Sequence, residues 1–239
     1  MSLRCENLVK SYKSNRVVDK VSLKVERSEI VGLLGPNGAG KTTTFNMIAG
    51  LIERDSGKVF MESEEITSMA MYKRALKGVG YLTQEPSIFR DLTVEENLQA
   101  ILETVYKDKD KIRQKSNELL GKFSISNLKT RKAKFLSGGE KRRLEIARSL
   151  IKKPKIMLLD EPFVGIDPIA VGEIQKLVDG LKGEGYGILI TDHNVRETLQ
   201  VIDRAYIMYE GKILLSGNRE ELLKSAEARK FYLGSKFRM

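Results

Sequence analysis

The run Gly35-Pro36-Asn37-Gly38-Ala39-Gly40-Lys41-Thr42 constrains this chain more than any other stretch. A glycine, four residues and then Gly-Lys-Thr is the form of a phosphate-binding loop set between a strand and a helix. Glycines at 35, 38 and 40 let successive backbone N–H groups turn inward with no Cβ in the way, and the helix that follows adds its positive end. The context agrees: Ile30 to Leu34 is a short apolar run that predicts a buried strand, and Thr43 to Leu51 continues as a helix. Lys41 is placed to reach the outer phosphates of a triphosphate and the Thr42 hydroxyl to ligate Mg²⁺, with Thr43 next in the cradle. Such a loop by itself says only that a nucleotide binds, because many reactions are built on it.

Downstream residues narrow the choice. Leu136-Ser137-Gly138-Gly139-Glu140 stands ahead of a helical stretch, with Asp160-Glu161 at the end of the apolar run Met157-Leu158-Leu159. Here the chain resembles the ATP-binding cassette (ABC) ATPases. The resemblance runs through nearly all 239 residues, with the motifs in the family's order. It implies an α/β fold of P-loop NTPase (RecA-like) type, carrying an antiparallel β subdomain and an inserted helical subdomain. The expected division is a single nucleotide-binding domain, with 1–84 and 152–239 as the core and 85–151 as the helical subdomain.

The resemblance also implies roles. Ser137 to Glu140 belong to the signature motif that meets ATP. Asp160 holds Mg²⁺, and Glu161 faces the water that attacks the γ-phosphate. Gln84, after the strand Val79–Thr83, forms a loop that reaches Mg²⁺ or that water. Tyr12 stacks on adenine, Val164 to Pro168 forms a loop that crosses between protomers, and His193, the single histidine, hydrogen-bonds the γ-phosphate. Phosphate loop and signature meet only in a head-to-tail homodimer, so each ATP is shared.

Composition sets outer limits. The length suffices for a sizeable core without staples, and one cysteine, Cys5, forms no internal disulfide. A charged-then-apolar leader is not read in the first residues, and no apolar run reaches the roughly 18–20 residues needed to cross a bilayer. The expectation is a cytoplasmic protein, peripheral on the inner face of a membrane that other chains span. The formal charge of +10 is scattered rather than gathered into a basic block with aromatics, which argues against nucleic acid as partner.

Local signals place the other elements. Val21, Leu23 and Val25 alternate with polar residues as in a strand with one wet face, and Asp55 to Lys58 reads as a turn before the strand Val59–Met61. Thr93 and Glu96 make a capping box, followed by Leu98, Ile101, Leu102 and Val105 at helical spacing. Lys107 to Lys111 reads as a solvated turn. Helix 168–182 and strand Gly187–Thr191 come next, Glu210-Gly211 joins a hairpin, and Asn218 caps a closing helix. The apolar residues of the basic tail, Phe231, Tyr232, Leu233, Phe237 and Met239, are expected to pack on the domain or its dimer mate.

Three further segments are more particular. Glu85 to Arg90, Leu189 to Thr198 and the ending Phe231 to Gly234 with Phe237 are similar to the ATPase subunits of bacterial lipopolysaccharide exporters. That similarity implies partnership with two transmembrane permease subunits, docked through Phe89 and Arg90, with no direct contact to cargo. An apolar ring beside a guanidinium suits the end of an inserted helix. Asp91, where a second basic residue is expected, and Ser235-Lys236, in place of an acidic pair, depart from the pattern. Another transporter cassette, of the branched-chain amino-acid importer type, and a non-transport cassette acting on ribosomes or DNA are the alternative readings.

Overall fold

A computed structural model describes residues 2–230. The chain opens with β1 (Ser2–Tyr12) and β2 (Asn15–Glu26), which pair antiparallel, and then enters the core through β3 (Ile30–Leu34). Helix α1 (Lys41–Ala49) leaves the phosphate loop and stops at left-handed Gly50. β4 (Ser56–Met61), β5 (Glu64–Glu65), α2 (Met71–Leu76) and β6 (Val79–Leu82) follow. Next comes a helical stretch of α3 (Val94–Leu102), α4 (Lys109–Lys122) and α5 (Gly138–Ser149). The chain returns through β7 (Ile156–Asp160), α6 (Pro168–Gly183), β8 (Gly187–Thr191), α7 (Val195–Val201), β9 (Arg204–Tyr209), β10 (Lys212–Asn218) and α8 (Arg219–Lys224).

Two sheets result. The smaller is antiparallel, in the order β2-β1-β4-β5. The larger, β10-β9-β3-β8-β7-β6, is parallel except for the β9–β10 hairpin. Its central strands β3, β7 and β8 are buried at every position, so their sequences carry no alternation. Their two faces nevertheless feed different cores. Ile30, Leu34, Met157, Leu159, Ile188 and Ile190 face the layer of α5 and α6, whereas Val31, Leu33, Ile156, Leu158 and Leu189 face α1 and the small sheet. Helix α1 is therefore wedged between two sheets, with Phe45, Met47 and Ile48 almost wholly buried. That placement fixes the loop ahead of it.

Several local expectations change. Asp55 to Lys58 is no free turn: β4 begins at Ser56, and Gly57 sits left-handed opposite left-handed Asn7, where the pairing of β1 with β4 slips register. α3 ends at Leu102, so Val105 lies beyond it and is exposed, while Leu98 and Leu102 form its buried face. Within Lys107–Lys111, Asp108 accepts the amides of Asp110 and Lys111 and starts α4. The Thr93/Glu96 and Asn218/Glu221 capping boxes are both formed. Glu210 and Gly211 both take positive φ, as a two-residue hairpin with the twist of its strands requires. Residues 231–239, with all the apolar residues expected to pack the tail on the domain or its mate and with Ser235-Lys236, lie outside the described residues.

Candidate functional site: a phosphate cleft and a detached helix end

The carboxyl ends of β3, β6, β7 and β8 converge on one edge of the large sheet, where open parallel sheets place their ligands. A cleft of about 300 Å³ lies there, lined from Asn37 to Thr43, with Val17 on one side and Glu161 on the other. Gly35 has φ +155, and a Cβ there would overlap the carbonyl oxygen of Met208, so β9 leaves room only for glycine. Asn37 and Gly38 are exposed and Ala39 and Gly40 buried, which turns the loop's outer rim toward solvent. Lys41 is 7% exposed and folds under the loop, its Nζ donating to Gly35 O at 2.8 Å and Pro36 O at 2.9 Å. Burial lowers its pKa, while the carboxylates of Glu161, Asp160 and Asp192 act to raise it. Thr42 is exposed at the first turn of α1, and Thr43 is half-buried beside it.

Asp160 and Glu161 are adjacent in sequence and differ in every surrounding. Asp160 is 1% exposed. Its Oδ2 accepts from the Tyr81 hydroxyl at 3.2 Å, while its buried Oδ1 has no protein partner. Burial above all pushes its pKa up to about 6, with Tyr81 pulling the other way. Glu161 leaves the strand in a left-handed conformation, φ 47. Its N–H donates to Thr191 O at 2.7 Å and its carbonyl accepts from Arg142 Nη2 at 2.8 Å, so strands and helix hold the turn from both sides. Its Oε2 then receives Gln84 Nε2 at 2.8 Å and lies 3.5 Å from His193 Nδ1. Gln84, Glu161 and His193, which are 77 and 32 residues apart along the chain, form one cluster at the mouth of the cleft.

The remaining candidates do not join that cluster. Tyr12, 49% exposed, ends β1 outside the cleft wall, with Lys10 Nζ 5.5 Å from its ring. Ser137 caps α5 in a full capping box: its Oγ accepts the Glu140 amide, and Glu140 Oε2 accepts the Ser137 amide at 2.7 Å. Gly138 and Gly139 begin this helix, so their N–H groups have no intrahelical carbonyl to pair with. Gly138 lies so close to the Gly165 carbonyl that an added Cβ would meet it at 2.6 Å. None of these four residues lines the phosphate cleft. Phe89, 44% exposed, and exposed Arg90 sit on another face, before α3. Buried Asn97 holds that segment by exchanging hydrogen bonds with the Phe89 N–H and C=O, and Asp91 pairs with Lys134 at 2.9 Å.

Sequence reasoning missed a set of polar residues beneath the site. Arg142, 5% exposed, donates to the carbonyls of Thr83, Glu161 and Pro162 and pairs with Glu145 Oε2 at 3.1 Å. Glu145 in turn accepts the Ser87 N–H, and Arg148 donates to Ser87 O while lying 4.5 Å from the Phe89 ring. Asp192, fully buried, accepts the N–H groups of Phe163 and Asn194. The available signal was polar residues interrupting the apolar face of α5. It shows where such residues lie and not what they bind.

Comparison with known proteins shows the family and the fold. Residues 18–164 match the family model described as ABC transporter. The chain belongs to that family. It is an ATPase of the ABC transporter type, and its cassette fold binds adenine nucleotide. It is 53% identical over 239 residues, 99% of each chain, to the lipopolysaccharide export system ATP-binding protein LptB of Haemophilus influenzae. With the LptB of Escherichia coli K12 it shares 48% identity over 240 residues, 100% of this chain and 99% of that one. Among solved structures, an ATP-binding cassette of an ABC transporter in its ADP conformation superposes with a TM-score of 0.89 at 30% identity, covering 98% of this chain and all of the other. Among the described residues no helix is long and apolar enough to cross a membrane.

Proposed function

We propose that this chain is the ATP-hydrolysing subunit of a lipopolysaccharide exporter, working as two identical copies docked on two membrane-spanning subunits at the cytoplasmic face of the inner membrane. Full-length identity of about half to relatives named for that export system supports the cargo. The chemistry rests on one observation: Glu161 is held at the mouth of the phosphate cleft by Gln84 and faces His193.

ATP enters with its phosphates on the loop from Gly35 to Thr43 and its adenine toward the exposed ring of Tyr12. Lys41 exchanges loop carbonyls for phosphate oxygens, a trade between a neutral and a charged acceptor that favours the nucleotide. The donor set suits Mg²⁺, a hard cation that takes oxygen ligands: the orphaned Asp160 Oδ1, the Thr42 hydroxyl and the Gln84 amide oxygen, completed by phosphate and water. Bound there, the cation would neutralise charge on the β- and γ-phosphate oxygens. Glu161 accepts the proton of the attacking water, and Gln84 and His193 fix the direction of its carboxylate. The free amides at Gly138 and Gly139, with Ser137, belong to the second copy's ATP, so closure of the pair completes each site. Residues 85–151 act as the lobe that carries both this helix end and the docking residues Phe89 and Arg90.

The reading is tested by purifying the chain with its membrane partners from the native host. Two multi-spanning subunits whose addition makes ATP turnover responsive to lipopolysaccharide are expected. Co-purification with amino-acid permease subunits, or turnover indifferent to lipopolysaccharide, would overturn the cargo assignment.

A further inference from the structure

Tyr81 lies in β6, inside an apolar run that reads as core, and its hydroxyl is 3.1 Å from Asn46 Oδ1 and 3.2 Å from Asp160 Oδ2. Those two partners belong to different elements. Asn46 is one turn along α1 from Thr42, and Asp160 ends β7. The phenol thus joins, through its hydroxyl, a side chain of the helix that carries Thr42 to the side chain of Asp160. With Oδ2 engaged, the carboxylate presents its other oxygen, the buried and unpartnered Oδ1.

Proton counting sharpens this. A phenol has one proton and lone pairs to accept with. Against an ionised Asp160 it donates to Oδ2, and its oxygen must then accept from Asn46. Turning the Asn46 amide over places Nδ2 there, and the series Asn46 Nδ2–H to Tyr81 Oη–H to Asp160 Oδ2 satisfies all three groups.

From this geometry we infer that Tyr81, braced by Asn46, is a positioning residue for magnesium: it sets the distance between α1 and β7 and reserves Asp160 Oδ1 for the ion. The inference rests on the reading of Asp160 and Thr42 as the metal's protein ligands. Tyr81 acts through Asp160, whose Oδ2 it engages.

The test uses the full chain in a Glu161→Gln background, so that nucleotide is bound and not consumed. Affinity for a fluorescent ATP analogue is measured in EDTA and across a Mg²⁺ titration. Tyr81→Phe keeps the ring and is expected to leave affinity in EDTA within about twofold while raising the half-saturating Mg²⁺ about fivefold, the size of one ordinary hydrogen bond. Asn46→Ala, a change outside the strand, is expected to shift the titration in the same direction. Asp160→Asn is expected to abolish the Mg²⁺-dependent tightening, and adding Tyr81→Phe to it to change nothing more, because the two act as one unit. Equal Mg²⁺ titrations for Tyr81→Phe and its parent, or a full Tyr81→Phe effect in the absence of the Asp160 carboxylate, would overturn the inference. Mg²⁺-dependent tightening that survives Asp160→Asn would instead overturn the reading beneath it, a separable result.

Discussion

The phosphate cleft and the start of α5 are both helix ends prepared for anions, yet they are built in opposite ways. At the cleft, side chains from α1, β6, β7 and the loops after β6 and β7 are already engaged: Gln84 to Glu161, Lys41 to its own loop, Tyr81 to Asp160. At α5, Ser137 and Glu140 satisfy only each other, and Ser137 and Gly138 are exposed. A preorganised site avoids reorganisation when charge develops and therefore suits chemistry. A capped, outward-facing helix end suits recognition of something held elsewhere. On the proposed function, the contrast is that of a site which reacts and a surface which completes another copy's site, with Arg142, on the same helix as Ser137, bonded to the Glu161 carbonyl.

Five substitutions, two of them combined in one variant, test that contrast. Glu161→Gln is expected to lower ATP turnover about 10²-fold or more while keeping ATP binding, measured by steady-state hydrolysis and nucleotide titration; unchanged turnover would remove Glu161 from the reaction. Ser137→Arg is expected to abolish ATP-dependent pairing in light scattering and to leave nucleotide affinity of the single copy intact, and a mutant that still pairs would refute the shared site. Arg142→Met should cost about 3–5 kcal/mol of stability by leaving Glu145 buried and unpaired, and lower turnover about tenfold by freeing the Glu161 backbone. Adding Glu145→Leu is expected to restore the stability in denaturant unfolding but not the turnover; recovery of both would make Arg142 a packing residue only. Glu140→Ala, smallest in effect, should lose about 1 kcal/mol through the capping box with little change in the nucleotide affinity of one copy.

Much of this was legible because it is local. The loop from Gly35 to Thr42, the Thr93 and Asn218 caps and the Glu210-Gly211 hairpin each depend on a few neighbouring residues whose backbone preferences decide the outcome. Distant pairing overrode one local reading: Ser56 and Gly57 belong to a strand because β1 lies beside them. The Asp108 cap is local, and the surrounding charges, which read as a solvated turn, concealed it. Phe89 and Arg90 were marked by resemblance, whereas Asn97, which fixes their backbone, sits fully buried within an amphipathic helix and gave no sign of its task.

The sequence by itself determined that a phosphate-binding loop lies between a buried strand and a helix, that two carboxylates end a later strand and that the family is that of ABC cassettes. Spacing and residue type suffice for the loop and the carboxylates, since such motifs work through their own backbone, and the family follows from resemblance. Only the tertiary structure decided which polar residues face which. Tyr81 and Arg142 look like a core aromatic and a surface cation in the sequence; folding half-buries Tyr81 against Asp160 and buries Arg142 against the Glu161 carbonyl, because parallel strands far apart in the chain end side by side and a buried polar group must find its partner there.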